Sequence, residues 1–461
     1  MSAAPTLTSI RPALEGAVPA VIATCALDGT PNVSYISEVH YVDPEHVALS
    51  YQFFSKTRQN VLANPRATVV VIHPVTGGQY RLGVRYLRTE ESGPLFERMK
   101  AKLAGIASHS GMTGVFKLRG SDVYRVESLQ EVPGTATLPP APPVDYLGPL
   151  RAAVTRMAGA PDLGALFDIT FDCLRDAFGI RHAMVFMRDA SDERLYAVAS
   201  RGYPESGVGA EICPGEGVVG VAARARTPIR IWHATSEFGY GRAARAAAAS
   251  HGLGAVLEQE IRLPGLAESQ SQIAVPMLAG GNVVGVLFAE SPTPGAFGYE
   301  EEDALCVLAA VVANSTDLYD PPPEIAEDAP AATAAVSPTP QGEPLRVRRY
   351  ADNDSVFVDD EYLIKGVAGA ILWRLVRGYV EERRADYTNR ELRVDPAIKL
   401  PDLSENLEAR LILLQRRLED HMIESHSFEE EIDQTYLPPI IGSCQAILAK
   451  FPIREPEALA K

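Results

Sequence analysis

The sequence predicts a multidomain α+β protein with a barrel-like first unit, a sheet-and-helix second unit and a mostly helical third. Three observations predict it. At 461 residues the chain is too long for one core, and about 150 residues per domain suggests three. Proline-rich stretches at 131–149 and 321–344 divide it. Short β-branched runs separated by turn pairs fill the first part, whereas apolar residues spaced three and four apart dominate the last. The expected domains are therefore 1–130, 150–320 and 345–461.

Composition narrows the class. With 46% hydrophobic and 22% charged residues, each unit can bury a core. No apolar run reaches the roughly 18 residues of a membrane span, and the N-terminus lacks the basic-then-apolar layout of a signal peptide. A cytoplasmic protein without a membrane partner is expected. The net charge of −16 argues against a broadly basic nucleic-acid surface. Cys25, Cys173, Cys213, Cys306 and Cys444 lie far apart without a C-x-x-C pair, so neither a metal site nor a disulfide framework is expected.

In the first unit, strands are expected at Val18 to Thr24, Val33 to Tyr41, Val47 to Gln52, Thr68 to His73, Tyr80 to Thr89, Val115 to Leu118 and Val123 to Val126, with a helix from Glu91 to Ile106. Asp28-Gly29 signals a two-residue hairpin turn. Many short strands with few helices describe a small barrel. The unit is organised around Leu49 to Arg66, LSYQFFSKTRQNVLANPR. There a strand ends in Ser55, Lys56, Thr57 and Arg58, a helix follows, and Asn64-Pro65 stops it. Hydroxyls, an ammonium and a guanidinium at a helix start suit a phosphate, because the amides and dipole there favour an anion. The same residues also suit an ordinary helix cap with solvated cations.

Together with the hairpin IATCALDGTPNVSY and the segment Gly83 to Val126, this stretch resembles the pyridoxamine-phosphate-oxidase-like family of flavin-binding split β-barrels. The resemblance covers roughly residues 10 to 130. It implies an FMN site at a homodimer interface, with Ser55, Lys56 and Thr57 near the phosphate and Arg58 beside them. Arg81 and Arg85 share a strand face, where they can reach a flavin, meet an acidic partner or stand in solvent. His73 ends a strand and leaves haem as a secondary expectation.

The second unit begins with a helix at Asp162 to Phe178, followed by strands at Ala183 to Arg188 and Leu195 to Ser200. A glycine-rich turn then opens a helix within Glu211 to Arg224. A short strand at Pro228 to Trp232, a hairpin over Ile273 to Met277 and Val283 to Glu290, and a closing helix at Glu300 to Ser315 complete it. The motifs ICPGEGVVG, IAVPMLAGGNVVGVLFAES and AFGYEEEDALCVLAAVVANS resemble a GAF domain over about 150 to 318. The resemblance implies a sensory module with a six-stranded antiparallel sheet and a small-molecule pocket. Glu290-Ser291 stands where the cyclic-nucleotide subclass has Asn-Lys, which argues against that ligand. Cys213, His233 and His251 are the pocket candidates, and Ala234 to Ser271 is the expected lid.

Residues 321–344 hold seven prolines and almost no large apolar side chains, and read as an extended tether. At about 3.1 Å per residue it reaches about 75 Å, leaving the last unit free to move. That unit shows a hairpin at Val356 to Leu363 and a helix at Gly366 to Glu382. Thr388 and Glu391 then stand at capping-box spacing, before a long helix from Leu403 to Glu419. This order resembles a winged helix of the response-regulator type. The resemblance implies that Asn406, Arg410 and Arg417, one stripe of the last helix, face DNA. The acidic segment after them departs from a basic wing and favours a protein partner. The full fold expectation is a split β-barrel, a GAF antiparallel sheet with helices, and a winged-helix-like unit. In function it is a cytosolic sensor of a small molecule or redox state, and the alternative is a flavin-dependent oxidoreductase.

Overall fold

The computed structural model describes residues 4–425 except 110–117, 135–144, 190–192, 232–260, 317–345, 401–406 and several breaks of one to three residues. In the first unit β1 (Ala20–Cys25), β2 (Pro31–Ile36), β3 (Val39–Asp43) and β4 (His46–Tyr51) lead into helix α1 (Lys56–Ala63). Next come β5 (Arg66–Ile72), β6 (Gln79–Glu90), α2 (Pro94–His109) and β7 (Gly120–Glu131). The strands form one antiparallel sheet in the order β2-β1-β5-β6-β7-β4-β3. Alternation decides its inner face: Ala67, Val69 and Val71 are buried while their neighbours on β5 are not. They meet Ile22, Val47 and Leu82 in a split-barrel-like core.

Two expectations change here. The single strand expected at Val33 to Tyr41 is two, β2 and β3. Asp28-Gly29 also sits within a five-residue connection, Ala26 to Thr30, instead of making a two-residue turn. Gly29 takes φ +87°, and the Asp28 carboxylate accepts from the Thr30 amide at 2.9 Å, a side-chain turn that aspartate favours. The strand expected at Val115 to Leu118 falls largely outside the described residues.

The second unit runs α3 (Leu147–Met157), α4 (Leu163–Phe178), β8 (His182–Arg188), β9 (Leu195–Arg201), β10 (Glu211–Ile212) and α5 (Gly217–Ala225). It continues through β11 (Ile229–Ile231), β12 (Ser271–Ala279), β13 (Asn282–Ser291) and α6 (Tyr299–Thr316). Asp162 caps α4 by accepting from the Ala165 amide, and Gly179 ends it in the left-handed conformation. The six strands are antiparallel in the order β10-β9-β8-β13-β12-β11. Helix α3 starts at Leu147, inside the stretch expected to be a proline-rich spacer.

This sheet is one strand thick between two cores. Met184, Phe186, Leu195, Ala197, Val286 and Phe288 face α5. The alternate residues Val185, Met187, Tyr196, Val198, Leu287 and Ala289 face α3, α4 and α6.

The third unit pairs β14 (Val347–Tyr350), β15 (Ser355–Val358) and β16 (Glu361–Ile364), then adds α7 (Gly366–Glu382), α8 (Asn389–Val394) and α9 (Leu407–Ser425). The Thr388–Glu391 capping box forms at the start of α8. The freely moving last unit is corrected: α9 lies beside β9 and α4, and its Leu411, Leu414 and Leu418 belong to the same core as Tyr196 and Val198. Burial of that apolar face, at about 25 cal/mol per Å², holds the unit where a tether alone leaves it loose.

The first two units also touch. Arg11, in a 3₁₀ turn, pairs with Glu300 at 3.1 Å and lies 4.6 Å from the Tyr299 ring centroid. Arg230 of β11 lies 4.4 Å from the same ring and bonds Glu302 at 2.8 Å.

Candidate functional sites

The first site is built at the start of α1. Ser55 is the N-cap, and its hydroxyl accepts from the Arg58 amide at 3.4 Å. Lys56 is the first helical residue and is exposed. The first-turn amides have no intrahelical acceptor, as at every helix start. Thr57 accepts from the Asn32 carboxamide at 2.9 Å. Asn32 and the buried Asn60 both donate to Thr24, which ties α1 to β1 and β2. A cavity of about 90 Å³ opens beside this start, lined by Tyr35, Ser50, Tyr51, Thr57, Arg58 and Asp122 among others. The Ser50 hydroxyl is buried without a hydrogen-bond partner among the described residues.

Arg58 is committed within the chain. Its guanidinium pairs with the Asp122 carboxylate, donates to Thr89 at 2.8 Å and lies 4.3 Å from the Tyr51 ring centroid. Burial works against its charge, and the hydrogen bond and attraction to Asp122 outweigh that and raise its pKa. Asp122 was not legible as a partner, because 64 residues separate the two and only the β4–β7 pairing brings them together. Arg81 stands exposed on β6 opposite Gln130 and does not line the cavity. Arg85 pairs with Glu127 at 3.4 Å. His73 accepts the Val75 and Thr76 amides on Nδ1, each at 3.2 Å, so that nitrogen closes a turn.

The second site lies on the α5 face of the six-stranded sheet. A cavity of about 470 Å³ is lined by Val218, Leu263, Gln272, Phe288, Glu290 and Glu216, among others. Gln272 and Glu290 face each other across β12 and β13 and are 4% and 2% exposed. Glu290 accepts from the Leu266 amide at 2.9 Å and from the Gln272 carboxamide at 3.2 Å. Gly220 brings α5 close to the preceding turn, since a Cβ there falls 2.2 Å from the Cys213 carbonyl oxygen. Cys213 is exposed in that turn and does not line the cavity. His233 and His251 lie outside the described residues, as does most of the expected lid. Gln272 did not stand out in the sequence, and Glu290 did so only as a departure from the cyclic-nucleotide pattern, because polar residues at strand ends are common and the shared burial of the two is a property of the register.

The stripe expected to face DNA points elsewhere. Arg410 is 5% exposed, pairs with Asp189 and lies 3.9 Å from the Tyr196 ring centroid. Arg417 donates to the Leu363 carbonyl at 3.2 Å. Both are spent on internal contacts, which corrects their assignment to a groove-reading face. Asn406 lies outside the described residues. Among the described residues no cluster of three or more metal-ligating side chains occurs, and no helix is long and apolar enough to cross a membrane.

Comparison with known proteins follows this division. Residues 8–127 match the family model described as pyridoxamine 5'-phosphate oxidase, and residues 162–315 match the GAF domain model. No curated protein matches the chain. Among solved structures, the GAF domain of an Acinetobacter phosphoenolpyruvate-protein phosphotransferase is 22% identical, covering 40% of this chain and 97% of its own at a TM-score of 0.29. Free methionine-R-sulfoxide reductase from Neisseria meningitidis, in complex with its substrate, is 19% identical over 40% and 96%, with a TM-score of 0.30. An FMN-binding protein from Syntrophomonas wolfei is 14% identical over 27% and 87%, with a TM-score of 0.24. The chain thus carries a pyridoxamine-phosphate-oxidase-like domain at residues 8–127 followed by a GAF domain at residues 162–315.

Proposed function

We propose that the protein is a small-molecule sensor in which the GAF cavity receives a ligand and the unit from residue 346 onward carries the response. The observation that carries this reading is the two-faced sheet. On β9, Leu195 and Ala197 belong to the core shared with α5 and the cavity, whereas Tyr196 and Val198 belong to the core shared with α9. A ligand that shifts α5 or the strand ends on one face repacks the other by the thickness of one strand. Such a shift changes the response only if the ligand binds one arrangement better than the other.

The pyridoxamine-phosphate-oxidase-like domain adds a second input. Ser55, Lys56 and Thr57 fit the phosphate of FMN: they open a helix, Lys56 is an exposed cation, and the unpartnered Ser50 hydroxyl faces the adjoining cavity. Arg58 does not add charge to that site, because Asp122 already neutralises it. The single-chain cavity is smaller than a flavin ring system. A second copy against the exposed Val33 and Tyr35 of edge strand β2 would complete the enclosure. A bound flavin would supply redox sensitivity, and Ser55, Lys56 and Thr57 are the residues that would hold its phosphate.

The test begins with the absorption spectrum of the full-length protein and mass identification of what denaturation releases. One flavin per chain, lost in Lys56→Ala, supports the barrel input, and a colourless protein that takes up no added FMN overturns it. Each released compound is then added back while amide exchange is followed. Slowed or hastened exchange in 407–425 supports the sensor, and unchanged exchange there on saturation of the GAF cavity overturns it.

A further inference from the structure

We infer that the GAF cavity selects a small organic cation, a protonated amine or amidine, which pairs with Glu290. The inference rests on the reading of this cavity as a ligand site and names the chemistry of its occupant. Glu290 is 2% exposed, and the groups that face it are neutral: a backbone amide and a carboxamide donate to it, and the Tyr203 phenol lies beside it. No lysine or arginine among the described residues pairs with it. His182, its register neighbour on β8, turns edge-on to Tyr203 at 5.7 Å between ring centroids and makes no ion pair with the carboxylate. Tyr203 is a neutral neighbour: burial first, and the Glu290 charge second, push its phenol far above the usual range.

A buried carboxylate is costly unless it is paired, so the cavity is incomplete as a charge arrangement among the described residues. The second ionisable group on its wall, Glu216, is also acidic. The remaining wall supplies the apolar contact of Val218, Val219, Leu263 and Phe288, which suits the hydrocarbon part of such a ligand. A volume of about 470 Å³ lies within the range for drug-sized ligands. Among the described residues of its wall an anionic ligand meets two carboxylates and no base.

Three isosteres differing in charge test this: benzamidine, benzamide and benzoate, titrated into the full-length protein by calorimetry and followed by thermal unfolding. Benzamidine is expected to bind at least tenfold more tightly than benzamide and to raise Tm, while benzoate does neither. Its amide-exchange protection should fall within 216–219 and 286–290. Glu290→Gln, which keeps the acceptor for the Leu266 amide, should erase the preference for the cation. Glu216→Gln, on the exposed rim, should weaken benzamidine about threefold and keeps the test valid if the buried variant misfolds. Failure of benzamidine to bind at millimolar concentration, equal binding of the three probes, protection elsewhere, or an undiminished preference in a folded Glu290→Gln overturns the inference. Benzamidine binding at this site without any response in 407–425 would leave the cation preference standing and count against the sensor reading alone.

Discussion

Arg58 and His73 both look available in a sequence, and both are occupied in the fold. Arg58 stands in the first turn of a helix, yet its guanidinium closes on a carboxylate 64 positions away. His73 ends a strand, yet its Nδ1 accepts two amides of the following turn. Burial lowers the His73 pKa below the ordinary 6.5, so the unfolded chain binds the proton more readily than the folded one. Stability therefore rises with pH from the lowered value up to about 6.5 and is flat above that from this group. In His73→Asn that portion of the pH dependence should be absent, which urea unfolding at pH 5 to 8 measures directly. The helix start at Ser55 to Thr57 was legible because a strand end, a polar run and a capping residue are local. The Asp122 partner was not, because no local pattern encodes a pairing between β4 and β7.

At the scale of elements, helix starts followed local chemistry closely. Thr388 and Glu391 form the capping box their spacing predicts. Hydrogen bonds from Thr388 first, then from Arg384, hold the Glu391 carboxyl below its ordinary 4.5. Replacing Thr388 by alanine should cost about 1 kcal/mol of stability, seen as a lowered urea midpoint with an unchanged slope. The carboxylate's share is present above pH 4.5 and lost as pH falls through the depressed value. Strand limits were less legible. One β-branched run became β2 and β3, and two twelve-residue strands with register shifts, β6 and β7, carry the barrel's curvature. Helix α3 began inside a stretch whose prolines had suggested a spacer, because Leu150, Val154 and Met157 find an apolar partner in the GAF core.

For the whole molecule, the decisive contact is α9 against the GAF sheet. Its spacing placed Arg410 and Arg417 two turns apart on one face, but a stripe that faces a DNA groove and one that faces a sheet have the same period. Here Arg410 meets Asp189 and Tyr196, and Arg416 meets Asp168 at 3.1 Å. A protease site introduced within 321–344 and cut in the folded protein should leave the C-terminal piece co-eluting with the rest on gel filtration. Arg410→Glu, which places a second acid against Asp189, should release it. Separation of the two pieces in the unsubstituted protein would show that the tether, and not the packed face, holds the unit.

Sequence by itself determined the existence and type of most elements, the capped helix starts and the two domain resemblances, because period, capping and turn chemistry act over a few residues. Tertiary structure alone decided which charges are spent, which carboxylate is buried without a cation among the described residues, and which face of α9 is covered. Those outcomes depend on residues tens to hundreds of positions apart meeting in a sheet register or across a shared core.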